Sequence, residues 1–250
     1  MLNVDHVHKS YPLGGLFSGG RKSVLHDVSF ECSRGECLGI IGESGSGKST
    51  LGRLILGMER PEQGKILLEG RSVLDRKARR GRISAVFQDY KSSINPFFTV
   101  EEAIMEPLRL QKKNPEGNSD SLKVDVLLSQ VGLDSSYRTR YPHELSGGEV
   151  QRVCIARAIS TEPQCIVLDE AISSLDVSVQ TQVLHVLKEL KEIYQLTYIF
   201  ITHDIQAAAY ICDRVVIFRE GRIEEMVPIE QLRTVKSEYA RKLLDHLITF

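Results

Sequence analysis

With 250 residues, 42% hydrophobic and 26% charged, the chain carries enough apolar material for one large domain or two small ones around a real core. Its 32 basic and 33 acidic residues leave a net charge of -1, which speaks against a nucleic-acid-binding footprint and for a balanced surface, so no nucleic-acid partner is expected. Met1 to Asp5 lack the basic-then-apolar character of a signal peptide, and no run approaches the roughly 18 apolar residues that span a bilayer. If the chain works at a membrane, another chain must supply the spanning part.

The five cysteines, Cys32, Cys37, Cys154, Cys165 and Cys212, are odd in number and form no CxxC pair. They read as small core hydrophobes in a reducing compartment, in preference to a metal site built from Cys32 and Cys37. His6 and His8 read as residues of a strand face.

In chain order, short apolar runs predict strands at Val24 to Phe30, Cys37 to Ile41 and Lys65 to Leu68. A loop holding Gly14, Gly15, Gly19 and Gly20 separates Tyr11 from Val24. Thr50 to Leu56 predicts a short helix, with Gly57 suited to its C-terminal cap. From about Asp89 to Glu149 the character changes: Pro96, Pro107, Pro115 and Pro142 punctuate helical patterns, the clearest being Leu122 to Val131. Residues 114–120 form a polar loop, and the stretch 89–150 is expected to be a helical insertion. Strand–helix alternation then returns. Cys165 to Leu168 and Tyr198 to Ile201 are unbroken apolar runs, as in parallel strands covered on both faces. Val177 to Ile193 predicts a helix, and Val215 to Ile223 a hairpin turning at residues 219–222.

Gly42, Glu43, Ser44, Gly45, Ser46, Gly47, Lys48 and Ser49 fit GxxxxGK(S/T), after a predicted strand and before a helix that Thr50 opens. That is the context a P-loop requires. Glycines let backbone N–H groups close around phosphate oxygens, and the helix N-terminus adds positive potential. Lys48 can reach the β- and γ-phosphates of ATP, and Ser49 can offer its hydroxyl to Mg²⁺. A second apolar run ends in Asp169 and Glu170, at the strand edge where parallel sheets bind ligands. Asp169 suits Mg²⁺, and Glu170 suits an attacking water.

Leu145, Ser146, Gly147, Gly148 and Glu149, followed by Gln151 and Arg152, resemble the signature of ABC-type ATPases, with Glu149 where that signature usually has Gln. The resemblance covers essentially the whole chain. It implies a P-loop NTPase fold of α/β class: a mostly parallel sheet, an antiparallel β subdomain and a helical subdomain at about 89–150, together forming one nucleotide-binding domain over 1–250. It implies that Tyr11 stacks on adenine, that Gln88 links Mg²⁺ to the helical subdomain, that Asp176 lies in a loop crossing a dimer interface, and that His203 meets the γ-phosphate. Ser146, Gly147, Gly148 and Glu149 would serve a nucleotide held by a second ATPase subunit. Asp89 to Pro96, Thr99 and Val100, the acid-to-Asp176 stretch with Ala171, and Ser237 to Leu244 resemble the peptide/nickel importer ATPases. That branch implies two transmembrane permease subunits, an extracytoplasmic binding protein, a peripheral position on the cytoplasmic face of the membrane, and nickel, metal chelates or short peptides as cargo.

The rivals fit less well. A DNA-repair ATPase would need a long coiled coil between P-loop and signature. A translation factor would carry two cassettes, and a fused exporter would carry membrane helices. A non-catalytic regulatory module is opposed by Glu170 and His203.

Overall fold

The computed structural model describes residues 1–13, 20–89, 93–111 and 119–248. The chain divides into two compact units, Met1–Arg79 with Thr197–Phe250, and Arg80–Leu196.

The first unit holds an antiparallel sheet of β1 (Leu2–Pro12), β2 (Arg21–Cys32), β4 (Gln63–Leu68) and β5 (Arg71–Ser72), in the order β2-β1-β4-β5. Its alternation is interrupted. The β1–β2 register slips between Val4 and Ser10, and His6 and Asp27 take left-handed backbone angles, φ 48° and 57°. These bulges turn His6 toward Asp27, with Nδ1 and Oδ1 2.6 Å apart. That contact raises the His6 pKa.

A second group of strands carries the core of this unit. β3 (Cys37–Ile41) pairs in parallel with β8 (Thr197–Thr202) on one side and β9 (Arg214–Arg219) on the other, and β10 (Arg222–Pro228) runs antiparallel to β9. Every residue of β3 and β8 is buried, which is why both read as unbroken apolar runs. α1 (Lys48–Ile55) lays Leu51, Leu54 and Ile55 on this core, all fully buried. It ends in a Schellman turn: Met58 N–H donates to the Arg53 carbonyl and Gly57 N–H to that of Leu54. Arg214 ties the two strand groups together, donating to Glu36 at 2.6 Å and to the Glu31 carbonyl at 2.8 Å. α2 (Arg76–Arg79) also belongs to this unit.

The second unit contains the parallel pair β6 (Ile83–Phe87) and β7 (Cys165–Asp169), with helices α3 (Val100–Gln111), α4 (Ser119–Gln130), α5 (Gly147–Ile159) and α6 (Val177–Tyr194). α5 is the central helix. It packs on α3, α4, α6 and β6, and nine of its thirteen residues are buried, so its sequence shows little one-sided patterning. Arg157 fastens it to α3 by donating to Glu106 at 2.7 Å, and donates as well to the Ser93 carbonyl at 2.5 Å. Arg138 joins the short 3-10 segment Ser135–Thr139 to Glu101 of α3 and Asp125 of α4. Pro107 departs from the expectation that prolines divide the helices, since it lies inside α3. Pro115 and most of the expected 114–120 loop lie outside the described residues, as do Gly14, Gly15 and Gly19; Ser119 and Asp120 already belong to α4.

All five cysteines are buried thiols, and burial pushes Cys154 and Cys165 up to about 12. α7 (Ile205–Ile211) and α8 (Glu238–Ile248) complete the first unit. No helix among the described residues is long and apolar enough to cross a membrane.

Candidate functional site

The P-loop sits between the end of β3 and α1. Gly47 is the N-cap of α1 at φ 107°, and a Cβ there would meet the Val24 carbonyl at 3.0 Å. Only glycine combines that backbone angle with that approach. The Lys48 ammonium, 5% exposed, folds back over the loop and donates to the carbonyls of Gly42 at 2.7 Å and Glu43 at 2.8 Å. Ser49 is half-buried beside it in the first helical turn, and Thr50 is buried. Glu43, Ser44 and Gly45 form the exposed lip. The β9–β10 turn holds the loop from behind: Gly221 N–H donates to the Ser46 carbonyl at 2.8 Å, and its own carbonyl receives His26 N–H at 2.9 Å.

Register brings His203 to the same edge. Ile41 pairs with Thr202 across the parallel β3–β8 ladder, so the next residues, Gly42 and His203, leave neighbouring strands side by side. His203 is exposed. Tyr11 reaches α1 by another route. Its hydroxyl donates to Glu59 at 2.6 Å, and Glu59 also receives Arg53 of α1 at 2.8 Å and Lys9 at 3.1 Å.

In the second unit the same rule of register applies. Phe87 pairs with Asp169, so Gln88 and Glu170 follow side by side at the C-terminal ends of β6 and β7. Asp169 and Glu170 are half-buried and Gln88 is exposed. Glu170 takes φ 52°, in the left-handed region, and Ser173 closes the turn by donating N–H and hydroxyl to the Glu170 carbonyl at 3.2 and 3.0 Å.

Ser146 caps α5 in a capping box. Its hydroxyl and its N–H both donate to Glu149 Oε2 at 2.7 Å, and Glu149 N–H returns to the hydroxyl at 3.4 Å. Tyr137 donates its phenol to the other oxygen of Glu149 at 2.5 Å. These hydrogen bonds, that of Tyr137 foremost, hold the Glu149 carboxyl down to about 2. The first-turn amides of Gly147 and Gly148 have no carbonyl to bond within the helix, the arrangement by which a helix N-terminus can receive an anion. A Cβ on Gly148 would collide with the side chain of Val179, in the first turn of α6. Asp176 is the N-cap of that helix and is exposed. The signature and the Asp176 loop are therefore packed together.

The candidate residues thus form two constellations, one in each unit: the P-loop with His203 and Tyr11, and the Gln88–Asp169–Glu170 strand ends with the Ser146–Asp176 group. Sequence reasoning missed Glu59, Lys9, Arg53 and Tyr137. Each acts through a contact between residues distant or differently patterned in sequence, and no local motif marks them. Among the described residues no cluster of three or more His, Cys, Asp or Glu side chains could hold a metal alone. The hydroxyl of Ser49 and carboxylate of Asp169 are hard oxygen donors of the kind Mg²⁺ takes one or two at a time, the phosphates and water supplying the rest.

These arrangements are those of an ATP-hydrolysing cassette, and comparison with known proteins agrees. The ABC transporter family model matches residues 25–173, and the chain belongs to that family as an ABC-type ATPase. It is 48% identical over 250 residues to the metal-staphylopine import system ATP-binding protein CntF of Staphylococcus aureus (strain NCTC 8325 / PS 47), across the full length of both. It is 41% identical over 238 residues to the oligopeptide transport ATP-binding protein OppF of Bacillus subtilis (strain 168), covering 93% of this chain and 77% of OppF. The dimeric post-hydrolysis structure of the ATP-binding cassette MJ0796 bound to ADP and Pi matches with a TM-score of 0.82 at 28% identity, over 92% of this chain and 99% of that one. The expected P-loop NTPase fold and the resemblance to importer ATPases both hold.

Proposed function

We propose that this chain powers uptake of a metal chelate, as one ATPase subunit at the cytoplasmic face of a membrane. Its partners would be a second ATPase subunit, two transmembrane permease subunits and, indirectly, an extracytoplasmic binding protein. The observation that carries the reading is the 48% identity to CntF along the whole of both chains. The 41% identity to OppF favours short peptides as the second reading of the cargo.

Phosphoryl transfer asks chiefly for positioning and charge stabilisation. The loop from Gly42 to Thr50 receives the phosphates of ATP on its backbone amides, and Lys48 trades its carbonyl partners for β- and γ-phosphate oxygens. Ser49, Gln88 and Asp169 would hold Mg²⁺, which when bound neutralises charge developing on those oxygens. Glu170 orients and polarises the attacking water, while His203 bonds the γ-phosphate and reports its loss. Tyr11 stacks on the adenine. Ser146, Gly147, Gly148 and Glu149 form the half-site that closes on a nucleotide held by the partner ATPase, with Asp176 crossing the same interface. The helical stretch 89–150 is the part whose movement reaches the permeases. Binding energy drives the cycle because ATP favours the closed pair over the open one.

The test is reconstitution of the assembled transporter in proteoliposomes with its binding protein. Phosphate release stimulated by a metal chelate, with chelate accumulating inside, supports the reading. Stimulation by oligopeptide alone supports the second, and hydrolysis indifferent to any binding protein overturns both.

A further inference from the structure

The cluster around Tyr11 contains a residue that no motif marks. Glu59 lies just beyond the Schellman turn that ends α1, and its carboxylate is three-quarters buried. It takes hydrogen bonds from three sources: the Tyr11 hydroxyl at 2.6 Å, Arg53 Nε at 2.8 Å and Lys9 Nζ at 3.1 Å. Lys9 also donates to the Arg60 carbonyl at 2.9 Å and lies 5.1 Å from the centre of the Tyr11 ring, covering one of its faces. Tyr11 is the penultimate residue of β1, where pairing with Lys22 leaves one more rung before the strand ends. A side chain at such an end keeps rotational freedom unless something holds its far tip.

We propose that Glu59 is the positioning residue for base recognition: it holds the Tyr11 hydroxyl and, through Arg53, ties it to α1, the helix that begins with Lys48 and Ser49. With Lys9 over one face, the ring offers its other face to a purine. The distance between the base-stacking surface and the phosphate-binding turn is then set by one rigid helix of eight residues, about 12 Å long. Burial opposes the charge on Glu59, and the hydrogen bonds of Tyr11, Lys9 and Arg53 outweigh it, so its carboxyl stays ionised below the usual carboxylate range. An ionised acceptor makes the Tyr11 bond a strong one. This inference rests on the reading of Tyr11 as the residue that stacks on adenine.

The experiment is calorimetric titration of the full-length chain with ATP and, separately, with inorganic tripolyphosphate, which engages the phosphate cradle and has no base. Tyr11→Ala should weaken ATP about 5- to 150-fold, the range of base–aromatic stacking, and leave tripolyphosphate unchanged. Unchanged ATP affinity in that variant overturns the base reading itself. Glu59→Ala and Tyr11→Phe should each weaken ATP by about three- to tenfold with tripolyphosphate unchanged. The double variant should be no weaker than the worse single, because both remove one contact. Glu59→Gln, which keeps an acceptor oxygen without the charge, should recover part of the loss. If Tyr11→Ala weakens ATP and neither Glu59→Ala nor Tyr11→Phe does, Glu59 does not position the ring. If Glu59→Ala weakens ATP and tripolyphosphate in parallel, Glu59 supports α1 as a whole and the inference fails.

Discussion

Tyr137 and Glu149 meet at 2.5 Å, phenol to carboxylate, and this contact decides what an acid in the signature can do. Glu149 spends both oxygens on its own chain, one on Tyr137 and one on Ser146. Its charge is turned back onto the N-terminus of α5, where the helix dipole favours it. Gln serves the same capping position. Glu149→Gln should therefore leave ATP turnover of the assembled transporter within about threefold of the parent, while Glu149→Ala should cost about 1 kcal/mol of stability through the lost cap. Steady-state phosphate release and urea unfolding measure the two. A tenfold gain in turnover on Glu149→Gln would mean that the carboxylate holds the half-site back.

The same contact has a pH signature. The Glu149 carboxyl in the folded chain is lowered to about 2, from an ordinary value near 4.5. A group depressed by folding contributes stability above its unfolded pKa, and the contribution fades as pH falls toward the folded value. The stability difference between the parent and Glu149→Gln should be constant above about pH 5 and shrink progressively toward pH 2. Thermal unfolding of both proteins at pH 6, 4 and 3 checks this, and a difference that grows on acidification would contradict a Glu149 carboxyl lowered by folding.

Gly148 tests packing against chemistry. A methyl group there would collide with Val179, and overpacking of this kind typically costs about 1–3 kcal/mol. Gly148→Ala should lose stability in that range together with ATPase activity. Adding Val179→Ala opens the space. Stability should return in the double variant, and activity should return with it if the glycine serves only the approach of α5 to α6. Stability without activity would assign the Gly148 backbone a role at the phosphate.

Much of this was legible in the chain because the informative residues are contiguous. The P-loop needs eight consecutive positions, and β3 was bounded to the residue because its burial on both faces leaves an unbroken apolar run between polar neighbours. α6 runs Val177–Tyr194, one residue beyond its expected end, since Gln195 adopts the left-handed angle that closes it. The helix after the P-loop begins two residues earlier than its apolar pattern suggested. Lys48 and Ser49 are held helical by the loop geometry and contribute nothing to periodicity. α7 was missed although Asp204 caps it by accepting from Gln206 and Ala207 N–H, because seven residues are too few for a period to declare itself. Pro107 misled because α3 tolerates a proline in its last turns. The contacts of Tyr11 with Glu59 and of Tyr137 with Glu149, 48 and 12 positions apart, depend on the fold and have no local trace.

Glu170 is expected to orient the water that attacks the γ-phosphate. It follows the buried strand β7 and is held at φ 52°, an angle a non-glycine residue adopts at a cost of about 1–3 kcal/mol. Glu170→Gln should reduce turnover by about 10²- to 10⁴-fold, the usual range for a positioned acid–base group, and leave ATP affinity nearly intact. Single-turnover phosphate release and nucleotide titration on the assembled complex separate the two effects. Turnover within tenfold of the parent would remove Glu170 from the reaction.

The final prediction concerns who completes the site. The capping box at the start of α5 and the P-loop lie on one chain, and MJ0796, with the same cassette fold, is described as a dimer. In the proposed assembly each nucleotide is closed in by the P-loop of one ATPase and the signature of the other. The resemblance to the peptide/nickel importer ATPases implies a pair of two different ATPases. The purified chain should then bind ATP but hydrolyse it slowly, and activity should rise when a homologous ATPase and two permeases are supplied. Lys48, Ser146, Glu170 and His203 are all present, so each of the two mixed sites receives a full set from this chain's side. Co-expression of the four subunits followed by native mass spectrometry gives the stoichiometry. One copy of this chain, together with loss of hydrolysis at the partner's P-loop on Ser146→Ala, supports the mixed pair. Two copies of this chain with no second ATPase and full transport would refute it.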